Sequence, residues 1–210
     1  MRFKFYLSLL TCTAIITWQC TENREHLAAE TLSASRTIDS TAIVELGNKI
    51  SSLAQSVLLA NVSAAMQRGG PVHAIQFCNN RAMLLSDSLS SISNVKISRI
   101  SNKFRNPSNS PRTPNDHDVL NSLAKTTPND TSPLVYREDD GSATFYKSIF
   151  IGMPTCLKCH GDLQNDLSQE TRQILSELYP KDLATGYHLG DFRGAWKINF
   201  PKPELVQINE

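Results

Sequence analysis

Cys156, Cys159 and His160, in the run Cys156-Leu157-Lys158-Cys159-His160, are the residues of this chain whose types and spacing carry the most specific chemistry. Two thiols three positions apart can each add to one vinyl group of a single porphyrin. The histidine beside the second thiol then offers an imidazole nitrogen to the iron. Such a run reads as a site of covalent, c-type haem attachment, and the haem, more than the polypeptide, would carry the chemistry. Two other uses of paired cysteines fit less well. A zinc ribbon needs a second Cys-x-x-Cys pair. A site made from Cys78, Cys156, Cys159 and His160 would be strained, because the last two are sequence neighbours. A thioredoxin-like dithiol opens a long helix in a βαβ setting. Here a Gly152-Met153-Pro154 turn leads in and Gly161 follows at once.

The elements that must position these residues are legible from periodicity. Ser40 or Thr41 can cap a helix through Ile43, Leu46, Ile50, Leu53, Val57 and Leu58, which recur at three- and four-residue spacing. Gly69-Gly70-Pro71 breaks it. A second helix is expected over about residues 72–89, with Ile75, Cys78, Ala82, Leu85 and Leu89 on one stripe. The period then changes to two: Val95–Ile100 reads as a strand. Residues 101–116 form an Asn-, Pro- and Ser-rich loop, of a length that is more often functional than idle. A short helix is expected around Asp118–Lys125. Leu134–Arg137 and Ala143–Ile151 flank an Asp139-Asp140-Gly141 hairpin turn. Asp166 and Gln169 suggest a capping box for a helix through Leu178, ended by Pro180. Trp196, Ile198 and Phe200 alternate as a last strand. The sum is α+β: long helices first, then an antiparallel sheet with the Cys-x-x-Cys-His motif on a crossing segment.

With 210 residues, 40% of them hydrophobic, the chain can form one domain plus an arm. Arg2 and Lys4 precede an apolar or small-residue run from Phe5 to Trp18 that closes at Cys20. The run is shorter than the roughly 20 residues needed to span a bilayer, so it reads as an export signal. A cysteine in this place resembles a bacterial lipoprotein signal, although Trp18 and Gln19 stand where small residues are usual. The expected organisation is a signal over residues 1–19, a tether over 20–40 beginning at a lipidated Cys20, and a haem-binding domain over 41–205. Export and c-type haem agree, since bacterial c-type haems are attached outside the inner membrane. Removing Arg2 and Lys4 takes the formal charge from +1 to −1. That balance gives no support for electrostatic binding of nucleic acid or anionic lipid, and a lipid anchor would be the contact with a membrane.

Cys78 remains once the N-terminal cysteines and the motif pair are assigned. An unpaired thiol in an exported chain calls for an explanation. It can be a small buried hydrophobe, or a second ligand reaching the iron from the apolar stripe of its helix. His73, His117, His188 and Met83 are rivals for that role. Haem propionates call for cationic or amide partners, for which Lys103, Arg105, Asn106 and Arg193 are candidates. Arg193 can equally form a loop ion pair with Asp191 or Asp182. Tyr187 and Trp196 read as packing residues rather than redox relays.

Placement of the motif separates this chain from the commoner cytochromes. Small soluble cytochromes c carry it near the N-terminus with a methionine well downstream. Cytochromes c′ carry it late, and their chains stop soon afterwards. Here 50 residues follow His160, and the last methionine, Met153, precedes it. The chain instead resembles a family of single-haem c-type domains of PAS-like fold, long catalogued as a domain of unknown function and represented by a cyanobacterial cytochrome. The carrying segments are His73-Ala74-Ile75-Gln76-Phe77-Cys78, Arg105-Asn106-Pro107-Ser108-Asn109, Cys156-Leu157-Lys158-Cys159-His160-Gly161, Tyr179-Pro180-Lys181-Asp182, Gly186-Tyr187 and Gly190-Asp191-Phe192-Arg193-Gly194-Ala195. The resemblance implies one haem c bonded to Cys156 and Cys159, with His160 and Cys78 as axial ligands. It also implies a fold like that of extracytoplasmic sensor domains.

Two function classes follow. One is a sensor or signalling module responding to redox state, CO or NO and passing its signal to another protein. The other is a periplasmic electron carrier with a redox partner. Thiolate opposite imidazole favours ferric iron and a low reduction potential. Reduction that releases Cys78 would open a site for CO or NO and couple redox state to the second helix. Enzymatic turnover such as peroxidase chemistry is not expected, because no distal acid–base pair is recognisable.

Overall fold

The computed structural model describes residues 40–202, apart from the side chains of residues 81–85 and 92. The export signal, Cys20 and the tether up to residue 39 lie outside the described residues. Among those described, no helix is long and apolar enough to cross a membrane.

The first element is α1 (Ser40–Ser93), two helices joined at a kink. Gly70 takes φ 68° and ψ −162°, a conformation open to glycine and costly for other residues, and Pro71 restarts the helix where its missing N–H is not needed. The sheet follows: β1 (Lys96–Ile100), β2 (Leu134–Arg137), β3 (Ala143–Phe150) and β4 (Phe192–Phe200), all antiparallel in the order β1-β4-β3-β2. Between strands lie α2 (Pro114–Leu123), α3 (Pro154–His160) and α4 (Gln169–Leu178). The architecture is α+β, as the pattern implied.

Alternation along the strands divides the sheet into two faces. Phe145 pairs with Ile198 and Arg99 with Trp196, on the face covered by α1; Trp196 Nε1 donates to Gln55 of α1 at 2.9 Å. Tyr146 pairs with Lys197, and these side chains lie on the other face with Ile100, Ala195 and the apolar residues Val119, Leu120 and Leu123 of α2. There Asp116 accepts from Tyr146 Oη at 2.9 Å and from Lys197 Nζ at 2.7 Å.

Three local expectations are corrected. The buried stripe of the first helix runs through Ile43, Gly47, Ile50 and Ala54, with Gly47 set against the Phe145 ring. Leu46 and Leu53 are 45% and 50% exposed. The short helix starts at Pro114 rather than near Asp118, because Thr113 caps it by accepting from Asp116 N. Ser168, not Asp166, caps α4, accepting from Thr171 N at 3.2 Å. The Asp166 carboxylate is already engaged, accepting from Asp162 N at 2.8 Å.

Candidate haem-binding site

The motif occupies α3, the short helix between β3 and β4. Pro154 starts it, and the Gly161 N–H closes it on Leu157 O at 2.8 Å. The two cysteines packed at its sides belong to different clusters. Cys156 and Leu157 pack on Ile151, Ala184 and Tyr187. Cys159 packs on Ile75, Leu167, Leu175 and Tyr179. The helix is therefore wedged between the end of the sheet and the seam of α1 with α4. All three described cysteines are free. Burial, reinforced by Cys78 and Cys156 and opposed by Arg105, pushes the Cys159 thiol up to about 11. That is the reverse of the depressed value a redox-active dithiol needs.

His160 is held by its backbone and one ring nitrogen. Nδ1 lies 2.8 Å from the Ala184 carbonyl oxygen. A carbonyl only accepts, so Nδ1 carries the proton and Nε2 keeps its lone pair. Burial, then the positive charges of Arg105 and Arg193, hold the imidazolium well below its usual range, outweighing the Ala184 bond. The ring stands edge-on to Tyr187, centroids 6.2 Å apart. Backbone bonds from Tyr187 N to His160 O and from Gly186 N to Gly161 O lock the loop to the helix end. A neutral imidazole oriented by a carbonyl is the usual state of a metal-ligating histidine.

A cavity of about 500 Å³ lies between α1, the sheet and α3. It brings together Cys78 on α1 with Cys156, Cys159 and His160 on α3, residues remote in sequence. Its walls are mostly apolar, including Leu58, Val62, Ile75 and Ile149, and the volume suits an organic cofactor. Cys78 is half-buried, and burial pushes its thiol up against the opposing pull of Arg99 and Arg105. Among the described residues no three His, Cys, Asp or Glu side chains form a group able to hold a metal ion. The thiols and imidazole thus line a wide apolar slot rather than a compact cage.

Of the expected cationic residues, Arg105 and Arg193 line the cavity. Arg105 is heavily used: Nε donates to Asp182 at 3.0 Å, and Nη2 donates to Cys159 O at 2.6 Å and Ala184 O at 3.1 Å. It clamps the end of the motif helix to the Tyr179–Ala184 loop. Arg193 pairs with neither Asp191 nor Asp182; its Nη1 donates to Ser101 Oγ at 3.0 Å and Lys103 O at 2.9 Å. Asn106 does not line the cavity, and its side chain accepts from Ser108 N at the turn Pro107–Asn109. Lys103 stands outside with its ammonium 4.2 Å from the Tyr187 ring centroid. His73, His117 and His188 are exposed and none lines the cavity; the Met83 side chain is not among those described. Sequence reading missed Arg99, Tyr179 and Met66 as cavity residues. Arg99 had a usable signal, a charge at a strand position whose neighbours two away are apolar or small.

The sequence profile of the Tll0287-like family matches residues 18–201. The chain belongs to the Tll0287-like family. Its fold is similar to the crystal structure of the cyanobacterial heme-protein Tll0287, with a TM-score of 0.59 at 21% identity, covering 77% of this chain and 98% of that one. At that identity the likeness carries the fold alone. No curated protein matches the sequence.

The Tll0287-like cavity passes a chemical test for a porphyrin. A porphyrin is broad and apolar, bears two acid groups, and needs donors on the two sides of its metal. Among the described residues three arginines and no Asp or Glu line this cavity, while a neutral imidazole on α3 and the Cys78 thiol on α1 stand on different elements. The residues fit the group.

Proposed function

We propose that this chain is an exported, lipid-anchored c-type haem protein with one haem, acting as a redox or gas sensor module. The observation that carries the reading is a single cavity joining Cys156, Cys159 and His160 of α3 to Cys78 of α1. Cys156 and Cys159 would hold the haem, each adding its S–H across one vinyl double bond, an addition that would need no oxidant. His160 presents Nε2 because Ala184 holds Nδ1–H. Cys78 lines the cavity from α1 and would be the second residue to hold the iron. When bound, the haem supplies one-electron redox change and an iron site for CO or NO. The protein's part is to hold it in an apolar slot and to answer its acid groups, with Arg193 as a carboxylate contact. No catalytic turnover is assigned, since His160 is the one titratable acid–base residue of His, Asp or Glu type among the described lining residues. Export and anchoring rest on the run ending at Cys20.

Sensing is favoured by the position of Cys78. It lies about two turns beyond the Gly69–Gly70 kink, so a ligand change there acts directly on the second half of α1. Transfer to another protein follows, because a signalling partner must read that helix. Electron transfer is the second reading. Met153 lines the cavity yet is 44% exposed, and Leu163, Leu183 and Leu189 near the motif are exposed too. Apolar side chains at a cofactor edge suit a docking redox partner.

The test is maturation in a host that attaches c-type haem, followed by a pyridine haemochrome spectrum and intact mass. A colourless product lacking the added mass ends the reading. With haem in place, CO uptake by the reduced protein alone supports sensing; rapid reversible reduction without ligand uptake supports the carrier.

A further inference from the structure

Three guanidinium groups line the cavity, and they are not equivalent. Arg105 is neutralised by Asp182 at 3.0 Å. Arg193 spends donors on Ser101 and Lys103, both neutral acceptors. Arg99 stands on the edge strand β1, opposite Trp196 of β4, and lines the cavity from the sheet side. Among the described residues it has no carboxylate partner, and it lies over the Trp196 ring, 5.7 Å from guanidinium carbon to centroid. That ring is itself fixed, buried and bonded to Gln55 of α1. A fixed cation in an apolar wall, left without an anion, costs stability unless something occupying the cavity compensates it. Burial indeed pulls the Arg99 guanidinium below its usual value, opposed by Cys78 and Tyr179.

We infer that Arg99 is a carboxylate anchor of this cavity, taking one acid group of a flat, apolar dicarboxylate whose other acid group faces Arg193. The inference deepens the haem reading and rests on it: the acid groups are the propionates. The planar fork matches a carboxylate bidentately, and the cation–π contact with Trp196 holds it ready before the ligand arrives. Nothing in the motif itself assigns Arg99, which is 57 positions away from Cys156.

The experiment uses the full chain produced without haem attachment, titrated with iron mesoporphyrin IX. Its ethyl groups replace the vinyls, so no thioether can form and affinity is read directly. The same porphyrin as its dimethyl ester lacks the acid groups. Arg99→Gln is expected to weaken binding of the acid form about tenfold, as loss of a charge-assisted pair implies. Binding of the ester should be unchanged, and Arg99→Lys should recover part of the loss. In the matured protein, Arg99→Gln removes a positive charge from the cavity wall and should lower the midpoint potential. A tenfold shift in the ferrous-to-ferric ratio, about 59 mV for one electron, is expected. Equal loss for acid and ester, or no loss for either, overturns the assignment and leaves Arg99 a packing residue. If the unsubstituted chain takes up neither porphyrin and acquires no haem on maturation, the haem reading fails and takes this inference with it.

Discussion

At the scale of single residues, the site separates groups that meet a ligand from groups that hold those groups still. Cys78, which lines the cavity, belongs to the first kind on the proposed reading. If haem is attached as proposed, Cys78→Ala should leave it in place, because Cys156, Cys159 and His160 lie on α3 and not on the helix that carries Cys78. On the proposed reading an axial thiolate would be lost, so the visible spectrum should change and the midpoint potential rise, by more than a tenfold shift in the redox ratio, about 59 mV. An unchanged spectrum would mean that Cys78 is only a packed thiol. Arg105 belongs to the second kind. With side-chain exposures of 11% and 10%, the Arg105–Asp182 pair is largely shielded from solvent. Arg105→Leu leaves Asp182 without its cation and frees two carbonyls, a loss of about 3 kcal/mol. Urea titration of that variant against Arg105→Leu combined with Asp182→Asn should show part of the loss restored. The motif residues were singled out in sequence by their spacing, and the structure places all three in the cavity lining. Arg99 carried only the signal of its apolar or small neighbours two away, against the rule that a charged residue on a strand ordinarily points to water. The register opposite Trp196 places it in the cavity wall.

At the scale of elements, the first half of α1 shows why periodicity gives a helix more readily than its buried face. Ile43 and Ile50 lie on the face that packs on the sheet, but Leu46 and Leu53 do not. The face is chosen by Gly47, Ser51 and Ala54, small residues that let the helix approach the strands, and hydrophobicity counting gives these little weight. A Cβ on Gly47 would run into the ring of Phe145, which is 0% exposed and cannot yield. Gly47→Ala gains about 1 kcal/mol of helix propensity. Overpacking against a fixed ring costs up to about 3 kcal/mol. The clash involves three ring atoms, so the second effect wins and a net loss of about 2 kcal/mol is expected by thermal or chemical unfolding. Stabilisation instead would show that α1 stands off from the sheet. The kink at Gly69–Gly70 was legible, because Gly-Gly-Pro has a local steric reason to break a helix.

At the scale of the whole molecule, the sheet insulates two regions with different duties. One face carries α1 and the cavity; the other carries α2 and the buried acid Asp116. Burial alone would raise the Asp116 carboxyl, yet Lys197, the Arg112 N–H and Tyr146 together hold it below its usual 3.8. A carboxyl depressed in the folded state contributes stability that is present above its unfolded value. That contribution is lost as pH falls through the lower, folded value. The chain should therefore lose stability as pH drops below about 4, with Asp116 among the groups responsible. Asp116→Asn removes the charge that Lys197 and Tyr146 answer, costing about 2 kcal/mol at neutral pH. It also flattens the acid limb of the stability curve. Because Tyr146 and Lys197 point away from the strand face that carries Arg99 and Trp196, the haem spectrum and midpoint potential should stay as they were. Unfolding curves at several pH values, read beside a potential titration of the same variant, check both halves. A shifted potential would mean that the sheet transmits what happens on one face to the other, and that α2 takes part in the redox response.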